Sequence, residues 1–243
     1  PLMYPQIDEI MQIIMDEGVK IVFTSAGNPK TWTARLKEHG ITVAHVVSSS
    51  RFAAKCEAAG VDAIVAEGFE AGGHNGREET TTLCLIPAVR RVTDLPLMAA
   101  GGIATGEGML AAMALGADGV QIGTLFALAE ESSAHEAFKL HCLALDEGDT
   151  KLLLKKLSPT RLASGAFRTA VEEAEAAGAD AETMSRLLGK GRAKKGIFEG
   201  DLEEGELEIG QASALLSDIR PVAEIMDDLI RGYRRAADKS YKL

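Results

Sequence analysis

Short runs of branched apolar residues alternate along the first half of this chain with amphipathic segments of helical periodicity. The runs are Val19–Thr24, Ile41–Val47, Val61–Ala66, Leu95–Ala99 and Gly119–Ile122, and each precedes such a segment. This order predicts a βα repeat, which belongs to the α/β fold class. Because the runs are apolar almost throughout, without alternating polar residues, we expect a parallel sheet whose faces are covered by helices.

Two architectures accommodate these βα units. They could form an open doubly wound sheet, or they could be strands four to eight of a TIM-type (β/α)8 barrel whose first three strands are absent from this chain. The chain opens with Pro1, so we expect it to begin inside a fold. From about Asp149 the strand signal fades and charged helical patterns follow. We therefore expect a βα barrel portion over residues 1–148 and a helical lid over residues 149–243 that ends in a closing helix.

Composition and charge limit the function classes. The 243 residues are 46% hydrophobic with a formal net charge of −10, which suits a globular core and disfavours nucleic acid as a partner. No apolar run approaches the roughly 20 residues that span a bilayer, and no signal peptide is visible, so we expect a cytoplasmic protein without a membrane partner. Cys56, Cys84 and Cys142 form no CxxC pair, which argues against a disulfide framework and a metal site.

Two consecutive glycine-containing turns follow predicted strands. In AAGGIATGEG, residues 99–108, Gly101 and Gly102 precede a helix, and in GVQIGTLF, residues 119–126, Gly123 and Thr124 begin the next one. Glycine lets the backbone approach a ligand closely, and a helix N-terminus offers free N–H groups and a positive dipole end. The pair is typical of the phosphate site that TIM barrels form after strands seven and eight, which favours the barrel.

The longest interval between predicted strands contains the best candidate for acid or base chemistry. In AEGFEAGGHNGREETTT, residues 66–82, His74 lies between two glycines and Asn75, so we expect no helix or strand to bury it. Imidazole titrates near neutral pH, as a general acid or base should, although a lone histidine is often structural. Glu67 ends the preceding strand and is expected to point into the same mouth, or alternatively to cap a neighbouring amide.

Two other segments are candidates for binding. Ser25–Asn28 ends the first predicted strand with small residues on which a planar ring could lie. In the second half, KGRAKKG places Lys190, Arg192, Lys194 and Lys195 close together in an otherwise acidic chain. Such a run is ordinarily a solvated face, and the alternative is a surface for an acidic partner or a phosphopantetheine phosphate.

Together these segments resemble the FMN-dependent family that joins enoyl-acyl-carrier-protein reductase II to nitronate monooxygenases. The similarity runs nearly end to end, through residues 25–29, 66–76, 99–108, 119–126 and 199–211. The EAGGH element, Glu70–His74, is the most specific part. The family also has a Gly-Met platform after its first strand, which this chain does not contain, so we expect the native protein to be longer.

The resemblance implies a TIM-type barrel with FMN at its C-terminal mouth and no metal. It implies that His74 is the active-site histidine, that the glycine turns hold the FMN phosphate, and that the lid returns to the flavin near residues 205–211. The residues implied to contact FMN are Ser25, Ala26, Gly27, Glu67, Ala100, Gly101, Gly102, Gln121, Gly123, Thr124, Gly210 and Gln211.

The resemblance leaves the reaction open. We favour reduction of 2-enoyl-acyl-carrier-protein thioesters by NADH or NADPH in type II fatty acid synthesis, with acyl carrier protein or an acyl-CoA thioester as the partner. In that reaction FMN delivers a hydride and His74 donates a proton or polarises the thioester carbonyl. The alternatives are a nitronate monooxygenase, which oxidises alkyl nitronates with FMN and O2, and an inactive phosphate-binding scaffold. A homodimer is the expected assembly.

Overall fold

The computed structural model describes residues 1–239, which divide into two compact units whose segments interleave along the chain. The first unit contains Pro1–Gly68, Thr80–Ala100 and Ala112–Gln121, and the second contains Phe69–Glu79, Gly101–Ala111 and the described residues from Ile122 onwards. The predicted division has a single boundary after residue 148, and it stays a prediction.

The elements are numbered in chain order. The strands are β1 Ile21–Thr24, β2 Thr42–Val47, β3 Ala63–Glu67, β4 Gly73–His74, β5 Leu97–Ala100, β6 Gly119–Gln121, β7 Thr150–Leu153 and β8 Thr160–Ala163. The α-helices are α1 Ile7–Asp16, α2 Thr33–Glu38, α3 Ser50–Ala58, α4 Thr82–Arg90, α5 Gly106–Ala114, α6 Thr124–Ala127, α7 Glu136–Leu143, α8 Ala166–Ala176, α9 Ala181–Leu188 and α10 Val222–Ala237. Short 3-10 helices cover Pro29–Thr31 and Gln211–Leu215, and a π-helical turn covers Lys194–Phe198.

The first unit contains a parallel sheet in the order β1-β2-β3-β5-β6. These strands lie within about two residues of the predicted runs, so the βα repeat is confirmed. A doubly wound sheet reverses its strand order at a switch point, whereas this order never reverses. It is the order of consecutive strands in a TIM-type barrel, and the α/β barrel-type fold is thereby confirmed.

Strand β3 is apolar on both faces because both of its faces are buried, whereas β1 exposes Ile21 and Phe23. Ile64, Val65 and Ala66 are adjacent in β3, and each is fully buried. Since neighbouring side chains of a strand point to opposite faces, both faces of β3 are covered, as its continuous apolar run predicts.

An aspartate repeats at the amino end of two strands in this sheet. The Asp62 carboxylate accepts the Val43 N–H at 2.9 Å, and the Asp118 carboxylate accepts the Leu97 N–H at the same distance. In each case the bonded N–H belongs to the neighbouring strand. The same local hydrogen bond therefore fixes the start of two strand pairs, β2–β3 and β5–β6.

The second unit contains a small antiparallel sheet in the order β4-β8-β7. Strands β7 and β8 lie in the part of the chain that the sequence predicts to be a helical lid. Each strand has only four residues and charged helical segments surround the pair, so the sequence pattern does not reveal them. Leu162, Phe167 and Met184 are buried in the cluster that joins β8 to helices α8 and α9. Within residues 1–239, no helix is both long and apolar enough to cross a membrane.

Candidate functional site

His74 lies at the end of the two-residue strand β4, with its side chain exposed. Gly73 pairs with Arg161 and His74 pairs with Thr160 in an antiparallel ladder. The sequence predicts that no helix or strand buries His74, and its side chain is exposed although it belongs to β4. The Asn75 side chain donates to the Ala71 carbonyl at 2.9 Å and to the Gly73 carbonyl at 3.0 Å, which fixes the loop around the histidine.

Arg161 anchors the start of the histidine loop from inside the second unit. Its side chain is only 2% exposed, and its Nε and Nη2 donate to the Phe69 carbonyl at 3.1 and 2.6 Å. The guanidinium lies 4.7 Å from the centre of the Phe69 ring, and Nη1 donates to Thr150 Oγ1 at 3.2 Å. Burial lowers the pKa of Arg161, but an arginine stays charged in proteins. Sequence reasoning missed this residue, since a single Arg in a short apolar run carries no signal.

The segment Glu206–Gln211, called the return segment here, packs against the histidine loop. The Gln211 N–H donates to the Glu70 carbonyl at 2.9 Å, and the Gly210 N–H donates to Thr124 Oγ1 at 3.2 Å. A Cβ on Gly72 would lie 2.5 Å from the carbonyl carbon of Ile209, so only glycine permits this approach. The structure thus brings Thr124, Gly210 and Gln211 together with the loop that carries His74.

The two glycine turns differ in what surrounds them. Gly101 and Gly102 have φ values of 93° and 71°, in the left-handed region that favours glycine, and a Cβ on Gly102 would lie 3.2 Å from the Glu70 side chain. Gly123 has a φ of −96°, and a Cβ there would meet nothing within 4 Å. Gly102 therefore packs on protein, whereas Gly123 borders open space at the start of α6.

A cavity of about 330 Å³ lies within the second unit. Its volume is at the lower end of the range for small-molecule sites. Gly102 and Gln211, both predicted to contact FMN, are among its lining residues, and so is Glu70, four residues before His74 in sequence. The complete lining is Glu70, Gly102, Asp146, Glu147, Gly148, Thr150, Gln211, Ala212, Ala214 and Leu215.

Two carboxyl groups of the return segment have raised pKa values. Burial raises the pKa of Glu206 to about 7, and the neighbouring charge of Glu208 adds to this, while His74 and Arg192 oppose it. Burial also raises the pKa of Glu208 to about 6. Sequence reasoning treated this acidic stretch only as a returning segment and did not single out either residue.

The predicted site residues of the first unit lie at the carboxyl ends of its strands. Glu67 pairs with Ala100, and Ala100 pairs with Gln121, so these three lie in one row across β3, β5 and β6. Burial raises the pKa of Glu67 to about 7. Ser25, Ala26 and Gly27 follow β1, and the φ values of Ala26 and Gly27 are 51° and 78°. A left-handed alanine is uncommon and marks a tightly constrained turn.

The basic run of the second unit does not form one cationic surface. Arg192 donates to the Leu187 and Leu188 carbonyls and pairs with the Glu204 carboxylate at 2.8 Å, and it stacks 4.7 Å from the Phe167 ring. It is therefore a structural residue. Lys194 forms an exposed pair with Glu199 at 3.3 Å. The expectation of four clustered cations is corrected to an exposed set of lysines.

Among residues 1–239, no group of three or more His, Cys, Asp or Glu side chains is arranged to hold a metal ion.

Comparisons with known proteins show the family to which this chain belongs. The sequence model of the family described as nitronate monooxygenase matches residues 5–232. A Staphylococcus saprophyticus protein named probable nitronate monooxygenase is 36% identical over 60% of this chain and 44% of its own length. A Rhodococcus jostii protein named (3aS,4S,5R,7aS)-5-hydroxy-7a-methyl-1-oxo-octahydro-1H-indene-4-carboxyl-CoA dehydrogenase is 29% identical over 90% of this chain and 72% of its own length.

Among solved structures, FabK from Thermotoga maritima matches with a TM-score of 0.92 and 37% identity, covering 98% of this chain and 75% of that chain. This chain spans less than half of the Staphylococcus saprophyticus relative. The family match nevertheless covers nearly all of the residues present here. The chain belongs to the nitronate monooxygenase family.

Proposed function

We propose that this chain is the FMN-binding part of an oxidoreductase that reduces 2-enoyl thioesters, carried on acyl carrier protein or CoA, with NADH or NADPH. The observation that carries this proposal is the exposed His74, on a strand paired with β8 and in a loop that the return segment contacts at Glu70 and Gly72. The match to FabK supports the reductase, and the name of the Rhodococcus relative supports a thioester as the substrate class. We place the reaction in type II fatty acid synthesis.

The second unit has features that fit the phosphate of FMN. The open space in front of Gly123 admits an anion next to the free N–H groups at the start of α6. The Thr124 hydroxyl accepts a hydrogen bond from the Gly210 N–H, so its own proton is available to a phosphate oxygen. The cavity lined by Glu70, Asp146 and Glu147 suits a phosphate less well because its carboxylates repel an anion. We therefore assign the phosphate to Gly123 and Thr124.

The chain's own groups then have defined roles. FMN would carry the hydride between the nicotinamide and the β-carbon of the thioester. His74 would donate a proton to the α-carbon, which completes the saturated product, or would hydrogen bond the thioester oxygen as negative charge develops there. The β4–β8 pairing holds the backbone that carries the imidazole, which lowers the entropic cost of positioning it.

Oxidation of a nitronate is the second candidate function. It is favoured by the description of the matching family and by the name of the Staphylococcus relative. His74 would then act on the carbon of a nitroalkane or on its nitronate, with O2 as the oxidant and no acyl carrier.

Anaerobic mixing of the purified protein with crotonyl-CoA and NADH or NADPH tests the proposal. We expect nucleotide oxidation that requires the thioester. Oxygen uptake with an alkyl nitronate, without thioester-dependent oxidation, would replace the reductase by the monooxygenase. A colourless protein that releases no flavin on heating and takes up none would instead support the inactive scaffold.

A further inference from the structure

The cavity of about 330 Å³ in the second unit has a lining of mixed chemistry. Part of the lining is apolar and consists of Ala212, Ala214 and Leu215, which belong to the 3-10 helix Gln211–Leu215. Leu215 is 64% exposed, so this side of the cavity offers apolar surface that the alkyl groups of a ligand can cover. We call these three residues the apolar wall.

Carboxylates form a second part of the lining. They belong to Glu70, Asp146 and Glu147, and a carboxylate accepts hydrogen bonds but donates none. The ion pairs found among residues 1–239 include neither Asp146 nor Glu147, so both carboxylates can accept N–H donors of a ligand. A phosphate is repelled by the same charges. The cavity therefore suits an uncharged part of a ligand that carries N–H groups.

Thr150 provides a buried hydroxyl donor to the cavity. Its side chain is only 9% exposed and lines the cavity. The Thr150 hydroxyl accepts the Arg161 Nη1–H at 3.2 Å, and the part of the chain that the structure describes offers no acceptor for the hydroxyl's own proton. A buried donor without an acceptor costs free energy, so this hydroxyl indicates that a ligand atom accepts its hydrogen bond.

The charge of Arg161 strengthens this donor. The guanidinium is 2% exposed, forms no ion pair within residues 1–239, and donates its other hydrogen bonds to the Phe69 carbonyl. A hydroxyl that accepts a hydrogen bond from a cation is polarised, so its own proton binds an acceptor more strongly. Because the carboxylates exclude a phosphate, a carbonyl oxygen is the acceptor that fits at Thr150.

We propose that this cavity binds the pantetheine arm that acyl-carrier-protein and CoA thioesters share, with the Thr150 hydroxyl donating to an amide carbonyl of the arm. The inference rests on the proposed function, from which it takes the substrate class. The arm is uncharged, and its amide groups carry both a carbonyl oxygen and an N–H. The carbonyl matches Thr150, the N–H groups match the carboxylates, and the methyl and methylene groups match the apolar wall.

The lining also separates the two ends of the substrate. The phosphate at the far end of the arm stays outside the cavity because the carboxylates repel it. Gly102 and Gln211 line the same cavity, so an arm bound there adjoins two residues that are predicted to contact FMN. Thr150 is then a substrate-binding residue, whereas Arg161 is a positioning residue that acts through the Thr150 hydroxyl.

Binding of S-butyrylpantetheine to the full chain tests the site without turnover. This probe contains the arm but no phosphate, nucleotide or carrier protein, and its saturated acyl group cannot accept a hydride. Its Kd is measured by saturation-transfer NMR. Thr150→Val keeps the shape of threonine and removes the hydroxyl, so we expect the Kd to rise about tenfold, as for the loss of one hydrogen bond. Thr150→Ser keeps the hydroxyl and should bind the probe like the parent.

Ala214→Leu tests the cavity independently of the Thr150 hydroxyl. The larger side chain takes up space in the cavity, so we expect the Kd for the probe to rise at least about tenfold. Ala176→Leu is the matched control, because Ala176 is exposed on α8 and does not line the cavity, and it should leave the Kd unchanged. Thermal unfolding followed by circular dichroism shows which variants are folded.

An unchanged Kd in a folded Thr150→Val or Ala214→Leu overturns the proposal, and so does a parent chain that does not bind the probe. If that parent still oxidises nucleotide with crotonyl-CoA, the proposed function stands and the cavity site is lost. Probe binding that the variants weaken, in a protein without thioester-dependent oxidation, supports the site and refutes the proposed reduction. The two variants alter different parts of the lining, so misfolding of one leaves the other decisive.

Discussion

The close contact between Gly72 and the return segment predicts a large effect of a single methyl group. In Gly72→Ala, the new Cβ would lie 2.5 Å from the carbonyl carbon of Ile209 and 2.6 Å from the amide nitrogen of Gly210. Both are backbone atoms, so no side-chain rotation can relieve the clash. The return segment must move away, which strains or breaks the bonds from Gly210 to Thr124 and from Gln211 to Glu70.

The expected loss of stability is the sum of the cost of overpacking and the cost of the weakened hydrogen bonds. Overpacking of this kind costs roughly 1–3 kcal/mol. Each weakened hydrogen bond adds up to about 1 kcal/mol. We therefore expect Gly72→Ala to lower the free energy of unfolding by about 3 kcal/mol, which for a chain of this size lowers the melting temperature by about 6–12 °C.

Gly108→Ala is the matched control for this prediction. Gly108 lies inside α5, and a Cβ there would have only ordinary contacts, the shortest at 3.5 Å to Thr105 Oγ1. Alanine is favoured over glycine within a helix by up to about 1 kcal/mol, so this variant should be as stable as the parent or more so. Both variants are measured by circular dichroism during thermal and urea unfolding, without flavin. If Gly72→Ala unfolds within about 0.5 kcal/mol of the parent, the packing argument is refuted.

The remaining predictions concern the proposed site and its charges. His74→Ala should keep FMN bound, but its turnover, measured by steady-state kinetics, should fall about a hundredfold. The control His39→Ala, at an exposed histidine, should leave turnover unchanged. If His74→Ala turns over as fast as the parent, His74 has no part in the mechanism. Gly123→Val suits the local φ of −96° but fills the phosphate space, so flavin should be lost on desalting, and a yellow variant of unchanged affinity would contradict the assignment. Burial raises the pKa of Glu67 from 4.5 to about 7, so the folded state holds an extra proton between these values and the parent loses stability as pH rises through them. The melting temperature of Glu67→Gln should therefore be higher than that of the parent at pH 8 and equal to it at pH 4. Equal melting temperatures of the two proteins at both pH values would refute this reasoning. Lys195→Glu should raise KM for a carrier-linked thioester more than for its CoA analogue, and equal effects would identify an ordinary solvated lysine.

The strands of the first unit could be predicted because their signals are local. The sequence of each βα unit contains an apolar run, a helical pattern and a turn. In addition, Gly-Val-Asp before β3 resembles Gly-Ala-Asp before β6. The two aspartates bond the neighbouring strand in the same way. Because each βα unit repeats the same local sequence pattern, the predicted and observed strands differ by only about two residues.

The small antiparallel sheet could not be predicted in this way. Its strand β4 has two residues, and the pairing of Gly73 with Arg161 joins segments far apart in sequence. No periodicity develops over two residues. The support of His74 is therefore a long-range property of the fold, although its exposure in a glycine-rich loop was correctly anticipated from local composition.

Burial alters the ionisation of several carboxyl groups, so the net charge counted from composition does not describe the folded chain fully. The formal charge of −10 counts every acidic side chain as ionised. Burial raises the pKa values of Glu67, Glu206 and Glu208 to about 7, 7 and 6, so near neutral pH these groups are ionised less completely than the formal count assumes. The alternation in Glu206–Ile209 was visible in the sequence, but an acidic alternating stretch ordinarily presents its charges to solvent. Here the missing side chain of Gly73 gives the Glu208 carboxyl group a place against the histidine loop, where it is partly withdrawn from water.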